Sequence, residues 1–246
     1  MLVLGFHAIE ESLRGGGRGE LLVCKRNSRI ARLEEMAARS GVSVRVLEPR
    51  ELDRIAGADH RGAVLRLEEL PGPASRHGAG ALAERLGELP GSTALLLLLD
   101  GLSDPHNLGA ILRSADQFAV DLLVLTSRRS VRETETVLRT SSGASLYVPV
   151  ATVPNLVQAM EAAKKVGFWI YGADLGGERL DKVRFEGRAA LVLGAEGSGL
   201  RRLVRERCDE LVRIPARGHV DSFNVSVAAG ILMYEIRRQQ GFAGSR

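Results

Sequence analysis

One stretch of this chain, from Leu191 to Val225, limits its fold more than any other. It reads LVLGAEGSGL, a basic run, and then VRIPARGHVDSFNV. An apolar strand empties into a glycine-rich loop, and a second strand empties into proline and glycine. Ser222 and Asn224 then precede a long helix-forming segment. If the two strands pair, their loops lie at neighbouring strand ends, where few side chains block a ligand from the backbone. Each part also has a plainer reading. GAEGSG can be a simple turn, and Ser222 and Asn224 can be helix caps. Glu196 resists that reading, because a carboxylate among glycines is exposed and free to bond a ligand.

The surrounding sequence supports a buried parallel sheet. From Thr93 onward the apolar runs TALLLLLD, DLLVLT, YVPVA, FWIYGAD, AALVLG and ELVRIP alternate with helical stretches. Continuous apolar strands bounded by helices indicate a mostly parallel sheet covered on both faces. The last helix is expected from about Val225 to Gln240, ending in Arg237 and Arg238, which suit a helix carboxyl terminus. The amino-terminal part is a smaller α/β unit. ELLVC, VSVRVL and GAVLRL read as strands, and Ile30, Leu33, Met36 and Ala37 fall at helical spacing. PGPASRHGAG follows and has the composition of a linker. The expected division is residues 1–70, a linker at 71–90, and 91–246.

Composition narrows the class. Only four of the 34 basic residues are lysine, namely Lys25, Lys164, Lys165 and Lys182, and the sequence pI is about 9.4. Arginine offers a planar fork of donors suited to phosphate, so a polyanionic partner fits. A GC-rich genome would also swap lysine for arginine. No apolar run approaches the ~18 residues of a membrane span. MLVLGFHAIEESL lacks a basic leader, and Cys24 and Cys208 have no paired spacing. These features point to a cytoplasmic, reducing setting without structural zinc.

A second chemical segment is DPHNLGAILRSAD. Asp104 and Pro105 form a good helix start, which places Asn107 in the first turn, where exposed N–H groups can receive a phosphate. Arg113 lies further along, among small and apolar residues; its plainer role is an ion pair with Asp116 or Asp100. Ser103, Asp104 and His106 do not make a hydrolase triad, being too close in sequence to orient one another, and no GxSxG elbow exists. GAEGSG is neither GxGxxG nor a phosphate-cradling loop followed by Lys-Ser/Thr. His60 and His77 read as surface or loop residues.

Taken together, DPHNLGAILRSAD, LVLGAEGSGLRR and IPARGHVDSFNVSVAAG resemble the three motifs of the SpoU (TrmH-like) RNA ribose methyltransferases of the SPOUT class. The first unit, ending HRGAVLRL, resembles the ribosomal-protein-like RNA-binding domain of the bacterial 23S rRNA guanosine 2′-O-methyltransferases. The resemblance implies an α/β fold whose carboxyl-terminal segment threads a deep trefoil knot around an S-adenosylmethionine site. It implies that Gly194, Ile214 and Phe223 hold the adenosyl moiety. It assigns the ribose chemistry to Arg113, Asn107, Glu196, Ser222 and Asn224, with no metal. A homodimer acting on 23S rRNA is implied as well. The family usually carries Leu at Phe223, and Gln rather than Arg61 beside the histidine. Arg26, Arg29, Arg32, Arg128, Arg129, Arg201, Arg202 and Arg205 are candidates for RNA contact. Because guanidinium stays protonated, Arg113 is expected to stabilise developing charge rather than act as a base.

Three rivals follow from the same residues. A nicotinamide-dependent oxidoreductase would place its glycines after the first strand, not a late one. A catalytically silent RNA-binding relative would lack some motif residues, and all are present. A different target, a 23S adenosine or a tRNA guanosine, would use the same chemistry.

Overall fold

The computed structural model describes residues 2–69, 79–89, 91–127, 135–220 and 222–242. The chain begins β1 (Leu2–Leu4), α1 (Phe6–Arg14), β2 (Arg18–Val23), α2 (Ser28–Arg39), β3 (Ser43–Val46), α3 (Pro49–Ala56) and β4 (Ala63–Glu69). It continues α4 (Ala79–Glu88), β5 (Leu95–Asp100), α5 (Pro105–Gln117), β6 (Leu122–Thr126), α6 (Glu135–Thr140), β7 (Val150–Val153) and α7 (Leu156–Lys165). It ends β8 (Phe168–Arg179), β9 (Arg188–Gly194), α8 (Arg202–Glu206), β10 (Glu210–Arg213) and α9 (Val225–Gln239). Contacts divide it into two units, Met1–Ala74 with Glu133–Tyr147, and Ser75–Arg132 with Val148–Arg246.

In the first unit the sheet order is β1-β4-β2-β3, with β4 antiparallel to both neighbours and β2 parallel to β3. Strand alternation sorts the side chains. Val3, Leu21, Val23, Leu65 and Leu67 bury against Ile9 and Leu13 of α1 and Ile30 and Leu33 of α2. Leu4, Leu22 and Val64 instead pack with Leu52 of α3. Local chemistry starts each helix. The Asn27 side chain accepts from the Ile30 N–H at 2.9 Å, and Glu48 and Glu51 form a capping box around Pro49. β1 was not among the strands read from the sequence, because three residues are too few to display alternation.

This unit is discontinuous. Leu138 of α6 and Leu146 are buried in the same cluster as Val3 and Ile9. Tyr147 Oη donates to Glu11 Oε2 at 2.6 Å. Gly143 has φ +89, and a Cβ there would sit 2.6 Å from Glu11 Cβ, so only glycine fits. His60, expected at the surface or in a loop, lies in the short turn Ala58–His60 between α3 and β4 but is buried there. Its Nδ1 accepts from the Gly62 N–H at 2.9 Å, which leaves the Nε2–H to donate to Asp53 Oδ1 at 2.9 Å. Two partners explain the burial, and they fix the turn that starts β4. His77 lies outside the described residues.

The second unit holds a six-stranded sheet, β10-β8-β9-β5-β6-β7, in which every neighbouring pair is parallel. Leu95 to Leu99 of β5 are all wholly buried, as a central strand covered on both faces requires. Each such leucine stabilises the fold by roughly 1.5–3 kcal/mol. The β5–β9 register runs from Leu95↔Ala189 to Asp100↔Gly194, so both strands end level. That register sets the site. The loops after β5 and β9 leave the sheet side by side, and α9 packs along α5 beneath them. Among the described residues, no helix is long and apolar enough to cross a membrane.

Candidate active site

A cleft of about 550 Å³ opens beside the middle of β8 and the ends of β9 and β10 in the second unit. Leu193, Val212, Ile214, Ala228 and Leu232 give it an apolar lining, and the loop from Gly194 to Gly199 forms one wall. That loop is closed on itself, with the Gly199 N–H donating to the Ala195 carbonyl at 2.9 Å. A Cβ on Gly194 would meet the Gly199 carbonyl carbon at 2.1 Å. Backbone, not side chain, therefore faces the cleft here, and Gly194 has no substitute.

Asp100 anchors the loop from below. Its buried carboxylate accepts the Arg201 N–H at 2.9 Å on one oxygen and the Arg201 Nε–H at 2.6 Å on the other. An ion at no exposure is costly unless bonded, and Arg201 supplies the bonds. Arg113 does not take this role.

Asn224 joins the three chemical segments. Its Oδ1 accepts from the Ser226 N–H at 3.0 Å, which caps α9, and also from the Ser226 hydroxyl. With the oxygen so occupied, the amide nitrogen must point the other way. It donates to Asn107 Oδ1 at 3.0 Å and to Glu196 Oε1 at 2.5 Å. Asn107 is buried in the first turn of α5, after Asp104 accepts from the His106 N–H at 2.9 Å as the cap. Segments 117 and 28 residues apart thus meet at one side chain. Helix capping at Asn224 is real, and it is half of what this residue does.

Gly194, Glu196, Ile214, Ser222, Phe223 and Asn224 all line the cleft. Asn107 joins them through Asn224. Arg113 stands apart: it is exposed on α5, outside the cleft lining, and among the described residues it has no hydrogen bond or ion pair. It lies six residues beyond Asn107, about 9 Å along a helix axis. The candidate RNA-contacting arginines also separate. Arg201 is held by Asp100, Arg202 by Glu206 at 2.8 Å and Arg205 by Asp174 at 2.9 Å. In the first unit Arg32 lies 3.9 Å from Glu10, Arg29 lies over the Phe6 ring, and Arg26 is exposed without an ion pair among the described residues. Arg128 and Arg129 fall outside the described residues.

Two supporting residues were not read from the sequence, Ser226 and Asp174, which lines the cleft; Asp100 was read only as an ion-pair partner for Arg113, whereas it holds Arg201. Burial opposes ionisation of Asp174, yet the Arg205 guanidinium and the Gly176 N–H hold its carboxyl below the usual carboxylate range. Nearby, burial pushes the Cys208 thiol up to about 12, so it is inert.

Against known proteins, the SpoU rRNA Methylase family model matches residues 94–234 of this chain, more than half of its length. The chain belongs to the SpoU methylase family. A second model, for the RNA 2′-O ribose methyltransferase substrate-binding domain, matches residues 2–73. This SpoU chain is 41% identical over 247 residues to the 23S rRNA (guanosine-2′-O-)-methyltransferase RlmB of Bordetella pertussis, covering 98% of each. It is 40% identical to the enzyme of the same name from Xanthomonas campestris, covering 97% of this chain and 96% of the other. Among solved structures, an RNA 2′-O ribose methyltransferase superposes with a TM-score of 0.79 at 26% identity, covering 98% of this chain and 88% of the other. The SpoU methyltransferase AviRb from Streptomyces viridochromogenes, solved with AdoMet, superposes with a TM-score of 0.77 at 23% identity, covering 100% and 91%, and so shares the fold.

Proposed function

We propose that this chain transfers a methyl group from S-adenosylmethionine to the 2′-oxygen of a guanosine ribose in 23S ribosomal RNA. The junction at Asn224 carries this reading. It assembles, at the mouth of one cleft, the three segments whose resemblance assigns them to the methyl donor and the ribose. The guanosine and the 23S target rest on full-length relatives of that name.

The cleft suits the donor. Its volume and apolar lining accept a nucleoside, its glycine wall offers backbone groups without side-chain obstruction, and Asp174 and Glu196 are compatible with a sulfonium. Gly194, Ile214 and Phe223 would hold the adenosyl group. When bound, the donor supplies an electrophilic methyl. The protein's share is positioning and charge. Asn107, Glu196 and Asn224 lock the motif loops together, and Ser222 lies exposed at the cleft rim to bond a hydroxyl or phosphate. Arg113 serves as the unpaired cation for the phosphate beside the reacting ribose, stabilising the alkoxide as it develops.

The threading of α9 through a knot is part of this proposal, as is a homodimer. The dimer is supported by the exposed residues Val227 and Tyr234, which sit two helical turns apart on α9, the helix that packs on α5. Burying such a stripe against a second copy would remove apolar surface from water. A cytoplasmic setting is part of the same proposal and fits an RNA substrate.

The deciding test maps 2′-O-methylated positions in ribosomal and transfer RNA from cells with and without the gene. Loss of one 23S guanosine modification supports the reading; loss of a tRNA or adenosine modification, or of none, overturns it.

A further inference from the structure

The first unit carries its charge unevenly. β1 ends at Leu4 opposite Val64, and β2 ends at Val23 opposite Ala63, so the segments beyond them leave one end of the sheet together. The turn before β4 closes that end, where the Cys24 N–H donates to the Gly62 carbonyl at 3.0 Å. Lys25, Arg26 and Arg61 all emerge here, exposed and without ion pairs among the described residues. Lys25 and Arg61 are close neighbours. The Lys25 stem passes over Gly62, where a Cβ would lie 3.3 Å from Lys25 Cβ and 3.2 Å from Ile30 Cδ1.

Arg61 itself is held in an unusual shape. Its backbone sits at φ 54, ψ 17, a left-handed conformation that arginine adopts at a cost. His60 enforces it by gripping Gly62 on one side and Asp53 on the other. Asp53 is thereby engaged, leaving Asp59 as the exposed acid in the same turn. The adjacent end of α2 is capped by Asn27, so the positive charge comes from side chains rather than free helix N–H groups.

We infer that Lys25, Arg26 and Arg61 form a phosphate clamp for the RNA backbone, with the buried His60 as the residue that positions Arg61. This deepens the reading of the chain as a 23S rRNA methyltransferase and rests on it. Three exposed cations at one end of the sheet, one of them set by a buried imidazole, suit a polyanionic strand.

The test measures binding of the full-length enzyme to a 23S rRNA transcript as salt is varied. Each phosphate contact contributes roughly 0.7–0.9 to the slope of log affinity against log salt. Arg61→Gly should weaken binding several-fold and reduce the slope by about that amount, while the melting temperature holds, because glycine accepts the left-handed turn. The pair Lys25→Gln and Arg26→Gln should remove roughly twice as much slope. Arg18→Gln, at the opposite end of β2, should change neither. Unaltered affinity and slope in the Arg61 and Lys25/Arg26 variants, or an equal loss in the Arg18 variant, would overturn the clamp. A wild-type enzyme that methylates no 23S guanosine would instead sink the functional reading, and the two failures are separable.

Discussion

Replacing Asn224 tests the junction one atom at a time. Asn224→Ala removes both the cap and the link between Asn107 and Glu196, and each lost bond to a charged partner is worth about 1.5–3 kcal/mol. Single-turnover methyl transfer should therefore fall roughly 10- to 100-fold. Asn224→Asp keeps the acceptor for Ser226 but sets a carboxylate against Glu196, 2.5 Å from where the amide nitrogen sits. Two carboxylates that close favour sharing a proton. That variant should be worse than alanine at neutral pH and recover as pH falls toward 5, a profile the alanine variant should lack. Gly194 allows a sharper test. With the Gly199 carbonyl carbon 2.1 Å from a new Cβ, Gly194→Ala must move the loop backbone. Donor binding measured by calorimetry should be abolished while the circular dichroism of the sheet is kept.

At the level of elements, α9 is fixed by Arg237. This buried guanidinium donates to the carbonyls of Thr93, Phe118 and Ala119, to Asp121 Oδ2 at 3.3 Å and to Gln240 Oε1 at 2.8 Å. Arg237→Met would leave Asp121 and three carbonyls short of a donor, at a cost of about 3–5 kcal/mol. For a chain of this size, thermal unfolding should shift down by roughly 6–20 °C. In the sequence, Arg237 read only as a favourable charge at a helix end, because its carbonyl partners and Asp121 lie more than a hundred residues away. The same distance hid the Asp100–Arg201 pair. The six apolar runs, by contrast, were legible as a parallel sheet, since a strand buried on both faces needs no long-range information to look apolar throughout. Asn224 lay between these cases. Its cap could be read locally, but its link to Asn107 and Glu196 depends on the level ends of β5 and β9, which no local pattern encodes. Arg113 was legible as out of place among small residues, and the structure leaves it facing solvent as the one motif residue outside the assembled group.

The whole molecule offers two further expectations. If two copies join through α9, Val227→Asp with Tyr234→Asp should convert the enzyme to a monomer in sedimentation and abolish methyl transfer, while far-ultraviolet dichroism stays unchanged. The second concerns cutting the chain at the linker. A fragment beginning near residue 79 would retain α6 but lose the partners that bury Leu138 and Leu146. Two leucines would be stripped of cover, so the fragment should aggregate, and Leu138→Gln with Leu146→Gln should restore its solubility in light scattering.

That shared helix has a consequence for ancestry. The chain joins its first unit to the rest at three places rather than one, since it returns between β6 and β7 to finish the earlier core. A recognition module grafted by simple end-to-end gene fusion would arrive with a hole where Leu138 and Leu146 belong. Exchanging this module for another would require reshaping that internal segment at the same time, which makes the pairing of the two halves hard to undo.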